Sequence, residues 1–496
     1  MDHAFYIFWM ADGISIRKQF INHKIMTFKL SIAFYFAATL ILFAQSDQRT
    51  AMTLEECISL AIENNLDLKA TKLTKETWDV NFKQNKNALL PNVNGSYNLG
   101  VANGRSIDPF TNGIVNQEFT FSNAALGLDV VAFNGFRLIN RWKQVRLNLK
   151  SAEMEVEADK QSLILNVTLT YLRVLNAQDL VKLAESRLKT TQGQLDRLRS
   201  LYEEETGNPA EYHDLQGQMA LDAANIIESK NVLETELINL NTLTNIEESI
   251  TVAPLNIELD VEMYGYTAQD VFEQALQVFP TIKARDLSLE ASEKAIAVAR
   301  SHYVPEISLF ANLNTNYSSA ARLFNESGTS IVGTNDFVTI NNQEYSIFTQ
   351  QTNFTSDHIA YRDQFDNNLN SSIGVSVSVP IFNGFRAKNN VALEKIKREE
   401  AQTALAQIKL DLKQSIKQSY NAMLTAYERY KLLQNQVDAY NESFRINEIR
   451  FNNGVSNSVD YIISKNNMDN AQTNLANVNY EYALRVRILE YYRGNM

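Results

Sequence analysis

One cysteine and seven prolines in 496 residues are the first absences. A lone Cys57 excludes an intrachain disulfide, and with no metal-ligand spacing around it, it reads as a small apolar residue. Scarce proline leaves room for very long helices, because the strongest helix breaker is nearly missing. Beyond residue 44 no run of about 18 apolar residues occurs, so no later segment is long and apolar enough for a spanning helix. If the chain crosses a bilayer, strands must do it. His3, His23, His213, His302 and His358 share no ligand spacing, so no metal site is expected. No glycine-rich phosphate loop and no nucleophile beside a plausible base occur, so neither a cofactor nor enzymatic activity is expected. The formal charge of −11 gives no support to a nucleic-acid partner.

What is present begins at Met26: Met-Thr-Phe-Lys, an apolar run from Ser31 to Ala44, then Gln45-Ser46-Asp47. A basic start, a short apolar stretch and a closing alanine describe a secretory signal peptide. Residues 1–44 therefore read as an upstream extension and a signal peptide, with cleavage after Ala44. No cysteine directly follows the run, so a lipid anchor is not expected.

The rest of the chain is two copies of one unit. An offset of 214 pairs Thr53 with Thr267, Ala61 with Ala275, Leu73 with Leu287 and Pro91 with Pro305. Further on, Phe133-Asn134-Gly135-Phe136-Arg137 recurs as Phe382-Asn383-Gly384-Phe385-Arg386, at an offset of 249. The difference of 35 residues is an insertion in the second copy between Asn314 and Ser372. Loops absorb such insertions because closure entropy grows only logarithmically with length. The expected division is a first repeat at 45–248, with a helix, a β-hairpin at 91–133, a long helix and a return helix. A linker at 249–265 leads to a second repeat at 266–496, with its hairpin at 305–382 and a long loop at 318–370.

Within each unit the hydrophobic period changes from helical to two after the proline. Val93, Gly95, Tyr97, Leu99 and Val101 alternate with small polar residues, and Ile307, Leu309, Ala311 and Leu313 alternate with Glu306, Ser308, Phe310 and Asn312. Ala124, Leu126, Leu128 and Val130 form one return strand; Ile373, Val375, Val377, Val379 and Ile381 form the other. Apolar-out, polar-in alternation over about ten residues is the pattern of a transmembrane barrel, though a half-buried soluble hairpin shares it. Asn134-Gly135 and Asn383-Gly384 are turn dipeptides that end the strands. Helices over 137–203 and 386–450 follow. In the second, Ile408, Leu412, Ile416, Tyr420, Met423, Tyr427, Tyr430, Leu433, Val437, Tyr440 and Phe444 succeed Leu405 in steps of three or four. That spacing is close to a 3.5 repeat and predicts coiling against neighbours. Four strands cannot close a barrel, and lipid forbids open edges. Three copies would supply 12 strands, above the roughly eight that a small closed barrel needs. The expected fold is thus a mixed one, all-α plus a transmembrane β-barrel.

The motif Pro380-Ile381-Phe382-Asn383-Gly384-Phe385-Arg386, its twin at 131–137, and the turn Phe451-Asn452-Asn453-Gly454 ahead of Ser458-Val459-Asp460 resemble the TolC family of outer-membrane efflux proteins. The resemblance covers residues 50 to 493. It implies a homotrimer in the outer membrane, a 12-stranded barrel and a helical tunnel in the periplasm. It further implies a passive duct for small molecules such as drugs, docked on a periplasmic adaptor protein and an inner-membrane pump. Asp460 falls on a family gate position, while the second acidic position holds Ile463; Asp460 also reads simply as a carboxylate favoured at a helix N-terminus. Gly207 and Gly454 match the tip turns where adaptors dock. Phe133, Phe136, Phe382 and Phe385 suit either a membrane-interface girdle or packing inside the junction. Arg137 and Arg386 open helices, the unfavourable end for a cation, and call for a lipid phosphate or a neighbouring carboxylate. Two other functions stay open on the residues alone: the outer duct of a type I protein secretion system, and a soluble periplasmic coiled-coil adaptor.

Overall fold

The computed structural model describes residues 51–107, 112–116, 118–204, 207–246, 250–254 and 261–495. The expected extension and signal peptide, 1–44, lie outside them, as does part of the expected linker. Each copy opens on a helix pair. In the first these are α1 (Leu54–Asn64) and α2 (Leu66–Asn87). Strands β1 (Asn92–Ala102) and β4 (Phe119–Phe133) follow, with the short β2 (Arg105–Ile107) and β3 (Ile114–Asn116) between them. Then come α3 (Arg137–Glu203) and α4 (Pro209–Thr244). The second copy runs α5 (Ala268–Val278), α6 (Pro280–Arg300), β5 (Glu306–Ser318), β6 (Arg322–Ile340), β7 (Gln343–His358), α7 (Tyr361–Asn367) and β8 (Asn370–Ser378). It closes with α8 (Arg386–Asn452) and α9 (Ser458–Arg493).

Each opening segment is broken where the periodicity alone suggested one helix. Asn65 and Phe279, equivalent at the 214 offset, both take extended backbone, with ψ of 126° and 118°. In the second copy Pro280 then starts the new helix, where its missing N–H costs nothing. Thr53 and Thr267 cap α1 and α5 with the same reciprocal box, to Glu56 and Asp270.

The chain divides into two compact units. One comprises residues 66–163, 264–424 and 485–496. Its centre is an antiparallel sheet in the order β1-β4-β5-β8, so the two copies meet at β4·β5 and the outer strands β1 and β8 are unpaired along one edge. The apolar positions of β8 stand open, with Ile373 88% and Val375 60% exposed. No hydrophobic layer of the described residues covers that face, and this is the reverse of a half-buried soluble sheet.

Residues 318–370, expected as a loop, are mostly a ribbon of β6 and β7. Asn341 and Asn342 both have positive φ, 52° and 65°, and form the two-residue turn whose twist suits paired strands. Gln364 of α7 ties the ribbon's base to β5. It accepts from the Ser318 amide and donates to the Ser318 carbonyl, both at 3.0 Å.

The other unit comprises described residues 51–65, 164–263 and 425–484. Met52 and Val252 form a parallel bridge, and the buried Tyr171 hydroxyl donates to the Met52 and Ala253 carbonyls at 3.1 and 2.7 Å. Between the helices lies a core of Leu195, Leu198, Leu215, Phe444, Phe451 and Tyr461. Along its part of α8, the buried Val437, Phe444 and Phe451 recur every seven residues, the spacing of a coiled-coil seam.

Candidate functional site

The strand-to-helix junctions are built twice on one plan. Gly135 and Phe136 have φ of 63° and 61°; Gly384 and Phe385 have 62° and 61°. Each pair makes a tight turn closed by the amide of Arg137 on the Asn134 carbonyl, or of Arg386 on Asn383. The glycines were legible as turn formers. The left-handed phenylalanines were not, because only the fold imposes that strain. Each turn brings its two rings edge to face, with centroids 5.4 Å apart for Phe133–Phe136 and 5.6 Å for Phe382–Phe385. Phe136, Phe382 and Phe385 are mostly exposed and Phe133 half-buried. Arg137 has the carboxylate that its unfavourable helix end called for, Glu306 at 2.5 Å. Arg386 turns back to the Asn383 carbonyl instead. Arg137, Glu306, Ser378 and Arg386 line one cleft of about 410 Å³.

At the far end of α8, Gly454 has a φ of 69°, and its amide and that of Val455 close on Phe451 and Arg450. This double closure satisfies the last carbonyls of the helix. Gly207 works differently: a Cβ there would lie 3.1 Å from the Leu201 carbonyl carbon, so a side chain fits only if that backbone gives by a few tenths of an ångström. Asp460 is exposed in the first turn of α9. Its amide donates to Asn457 Oδ1 at 2.9 Å, and Ser456 donates to its carboxylate at 3.2 Å. Ile463 is also exposed, at 55%.

Next to this turn lies a group that sequence reasoning missed. Lys465 on α9 is fully buried, with its Nζ 3.0 Å from Asp222 of α4 and 2.7 Å from Asp469 of its own helix. Thr191 of α3 and Gln218 also donate to Asp222, at 2.5 and 2.8 Å. Arg187 of α3 donates to the Asp469 backbone carbonyl and to Thr473, and its Nε lies 3.3 Å from the Asp469 carboxylate. Two cations face two anions, so the cluster is neutral and clamps three helices. Beside it the Tyr461 ring stacks on Phe451 at 4.9 Å. Burial, reinforced by the charges of Glu448, Asp469 and Asp222, pushes the Tyr461 hydroxyl well above its ordinary range. The only advance signal was the Lys465–Asp469 spacing of four, which looks like any solvated helical pair.

A four-stranded sheet with one apolar open face, joined through matched turns to two helices of 67 residues each, defines a strand-and-helix class of protein. The chain belongs to the family described as outer membrane efflux protein, whose sequence model matches residues 57–245 and 271–495. The outer membrane protein TolC of Vibrio cholerae is 22% identical over 448 residues, spanning 88% of this chain and 89% of TolC. In fold the chain is similar to CusC, with a TM-score of 0.72 at 15% identity over 89% of this chain and 92% of that one. The CmeC outer membrane channel of Campylobacter jejuni gives 0.70 at 18% identity, over 89% and 85%. The chain is therefore a TolC-like protein of the outer membrane whose helical part lies in the periplasm, and it serves efflux.

Proposed function

We propose that the chain is one subunit of a homotrimeric, passive exit duct in a tripartite efflux system, carrying small molecules from the periplasm or pump to the outside. The observation that carries this reading is the four-stranded sheet with two unpaired outer edges and an uncovered apolar face. Unpaired backbone groups in hydrocarbon cost several kcal/mol each, so such a sheet is stable in lipid only when sister subunits complete it. Three sheets give a 12-stranded barrel. The two repeats, 45–248 and 266–496, each supply one hairpin, one long helix and one return helix, with 249–265 joining them.

In this reading the exposed Phe136, Phe382 and Phe385, with Phe133, sit at the inner membrane interface, where amphipathic rings gather. Gly207 and Gly454 shape the tip turns that meet a periplasmic adaptor, and an inner-membrane pump supplies the energy. Three copies of Asp460 around the axis make an acidic ring that favours cations.

The test is conductance of purified protein in planar bilayers. Discrete steps with cation preference are expected, and Asp460→Asn should lower that preference without changing trimer yield. A protein that gives no steps and sediments as a monomer would sink the duct; steps with unaltered selectivity in the variant would remove Asp460 from the ring.

A further inference from the structure

Strand register within the chain follows from its duplication. Asn92 lies opposite Asp129 in β1·β4. Moving the first by 214 and the second by 249 gives Glu306 opposite Ser378, the pair observed in β5·β8. The same shifts carry Asn94↔Gly127 onto Ser308↔Ser376 and Asn98↔Asn123 onto Asn312↔Ser372, again as observed. A further joint, β4·β5, links the last strand of copy one to the first strand of copy two. Its counterpart would link β8, the last strand of copy two, to β1, the first of copy one. Within one chain β4 and β5 separate those strands, so the counterpart requires a second copy.

We propose that β8 pairs antiparallel with β1 of a neighbouring subunit in the register set by the β4·β5 joint, with Ser376 opposite Asn98 of the partner subunit. This rests on the oligomeric duct and adds which residues meet. The parent pair is Gly127↔Asn312; the shifts of 249 and 214 convert it to Ser376 and Asn98. Val377 then meets Tyr97 of the partner subunit, and Val375 meets Leu99 of the partner subunit. Apolar positions stay on one face and polar positions on the other, which a slip of one residue would destroy.

A second observation argues against slips of two. In this register Gly374 faces Gly100 of the partner subunit. Within each chain both glycines are roofed by a ring from the adjacent inner strand. A Cβ on Gly100 would come within 2.7 Å of Phe121 Cζ, and one on Gly374 within 2.6 Å of Phe310 Cζ. The rings thus reach out to the sheet edges across residues that have no side chain. When the two glycines share a row, the two rings meet each other across the seam with no side chain rooted between them. Slipped by two, that row is lost: the ring over Gly100 would face Ser372 or Ser376 of the partner subunit, and the ring over Gly374 would face Asn98 or Ala102 of the partner subunit. At the foot of the strands, the Arg137–Glu306 ion pair of the parent joint becomes Arg386 beside Asn92 of the partner subunit, an uncharged acceptor.

Disulfide capture in outer membranes from a Cys57→Ala chain tests this. Asn98→Cys with Ser376→Cys should yield, on oxidation, a species of three times the monomer mass on a non-reducing gel. Asn98→Cys with Asn123→Cys, opposite within one chain, should lose its free thiols and stay at monomer mass, which reports a formed sheet. The slipped pairs Asn98→Cys with Ser378→Cys and Ser96→Cys with Ser376→Cys should give no more than about a tenth of the trimeric product, since their Cα atoms exceed disulfide reach. Capture chiefly by a slipped pair overturns the register and leaves the oligomer standing, as does a sedimenting trimer that no pair captures. A control that closes in a protein sedimenting as a monomer brings down the duct itself.

Discussion

Lys465 shows how much one residue can hold. Its ammonium is wholly enclosed and touches two carboxylates on two helices. Replacing it with methionine keeps the volume but leaves Asp222 and Asp469 buried with only Arg187 to balance them. Removing one partner from such a cluster costs about 3–5 kcal/mol. Lys465→Met should therefore lower the thermal midpoint in detergent sharply, and adding Asp222→Asn should recover part of the loss. Equal melting of wild type and Lys465→Met would show that the cluster contributes nothing. Tyr171 makes a pH-dependent contribution. Burial, and next the nearby Cys57 and Glu55, raise its hydroxyl from 10.0 to about 12. Its protonated form is the one that bonds Met52 and Ala253, so its stabilisation is complete below the unfolded value and is lost as pH rises through 10 towards 12. Alkaline unfolding followed by circular dichroism should be shallower over that window in Tyr171→Phe than in wild type. Neither residue could be picked from the sequence, because their partners lie up to 243 positions away and come together only when helices pair. Asp460 could be named as a candidate, because the turn motif that carries the resemblance is local.

Among elements, the ends are as informative as the bodies. Gly454 has no heavy atom within 4 Å of where a Cβ would be, so its requirement is the left-handed backbone alone. Gly454→Ala should cost about 1 kcal/mol and Gly454→Asn less, since asparagine tolerates that conformation better. Gly207→Ala meets the Leu201 backbone instead, so asparagine should be no better there than alanine. Chemical denaturation of the four variants distinguishes the two causes. The two 67-residue helices were legible because their apolar residues recur every three or four positions with no proline inside. The strands were legible because small polar and apolar residues alternate. The β6–β7 ribbon was less so: its apolar residues fall on both faces, so alternation fades and the segment reads as a loop despite its Asn341-Asn342 turn. The breaks at Asn65 and Phe279 leave no trace in periodicity, since one extended residue between helices barely shifts the pattern.

For the molecule as a whole, the decisive matter is which face of the sheet meets lipid. Ser308 and Leu309 are neighbours on the central strand β5, with the same backbone pairing on both sides. They differ in the face they present: Leu309 belongs to the apolar set and is 43% exposed, while Ser308 belongs to the polar set. In a soluble sheet an arginine at an exposed apolar position is nearly harmless, because water solvates it. In a barrel the lipid-facing arginine near mid-membrane costs roughly 2–4 kcal/mol, and a lumen-facing one costs little but adds positive charge to the pore. Leu309→Arg should therefore deplete the protein from the outer membrane. Ser308→Arg should insert and assemble at wild-type levels with reduced cation conductance. Because the two sites are adjacent, a general loss of folding would affect both alike, and only an environment that changes across a single residue can split them. Equal tolerance of the two arginines would mean that water bathes both faces, and no arrangement of sister subunits could then make this sheet the wall of a membrane channel.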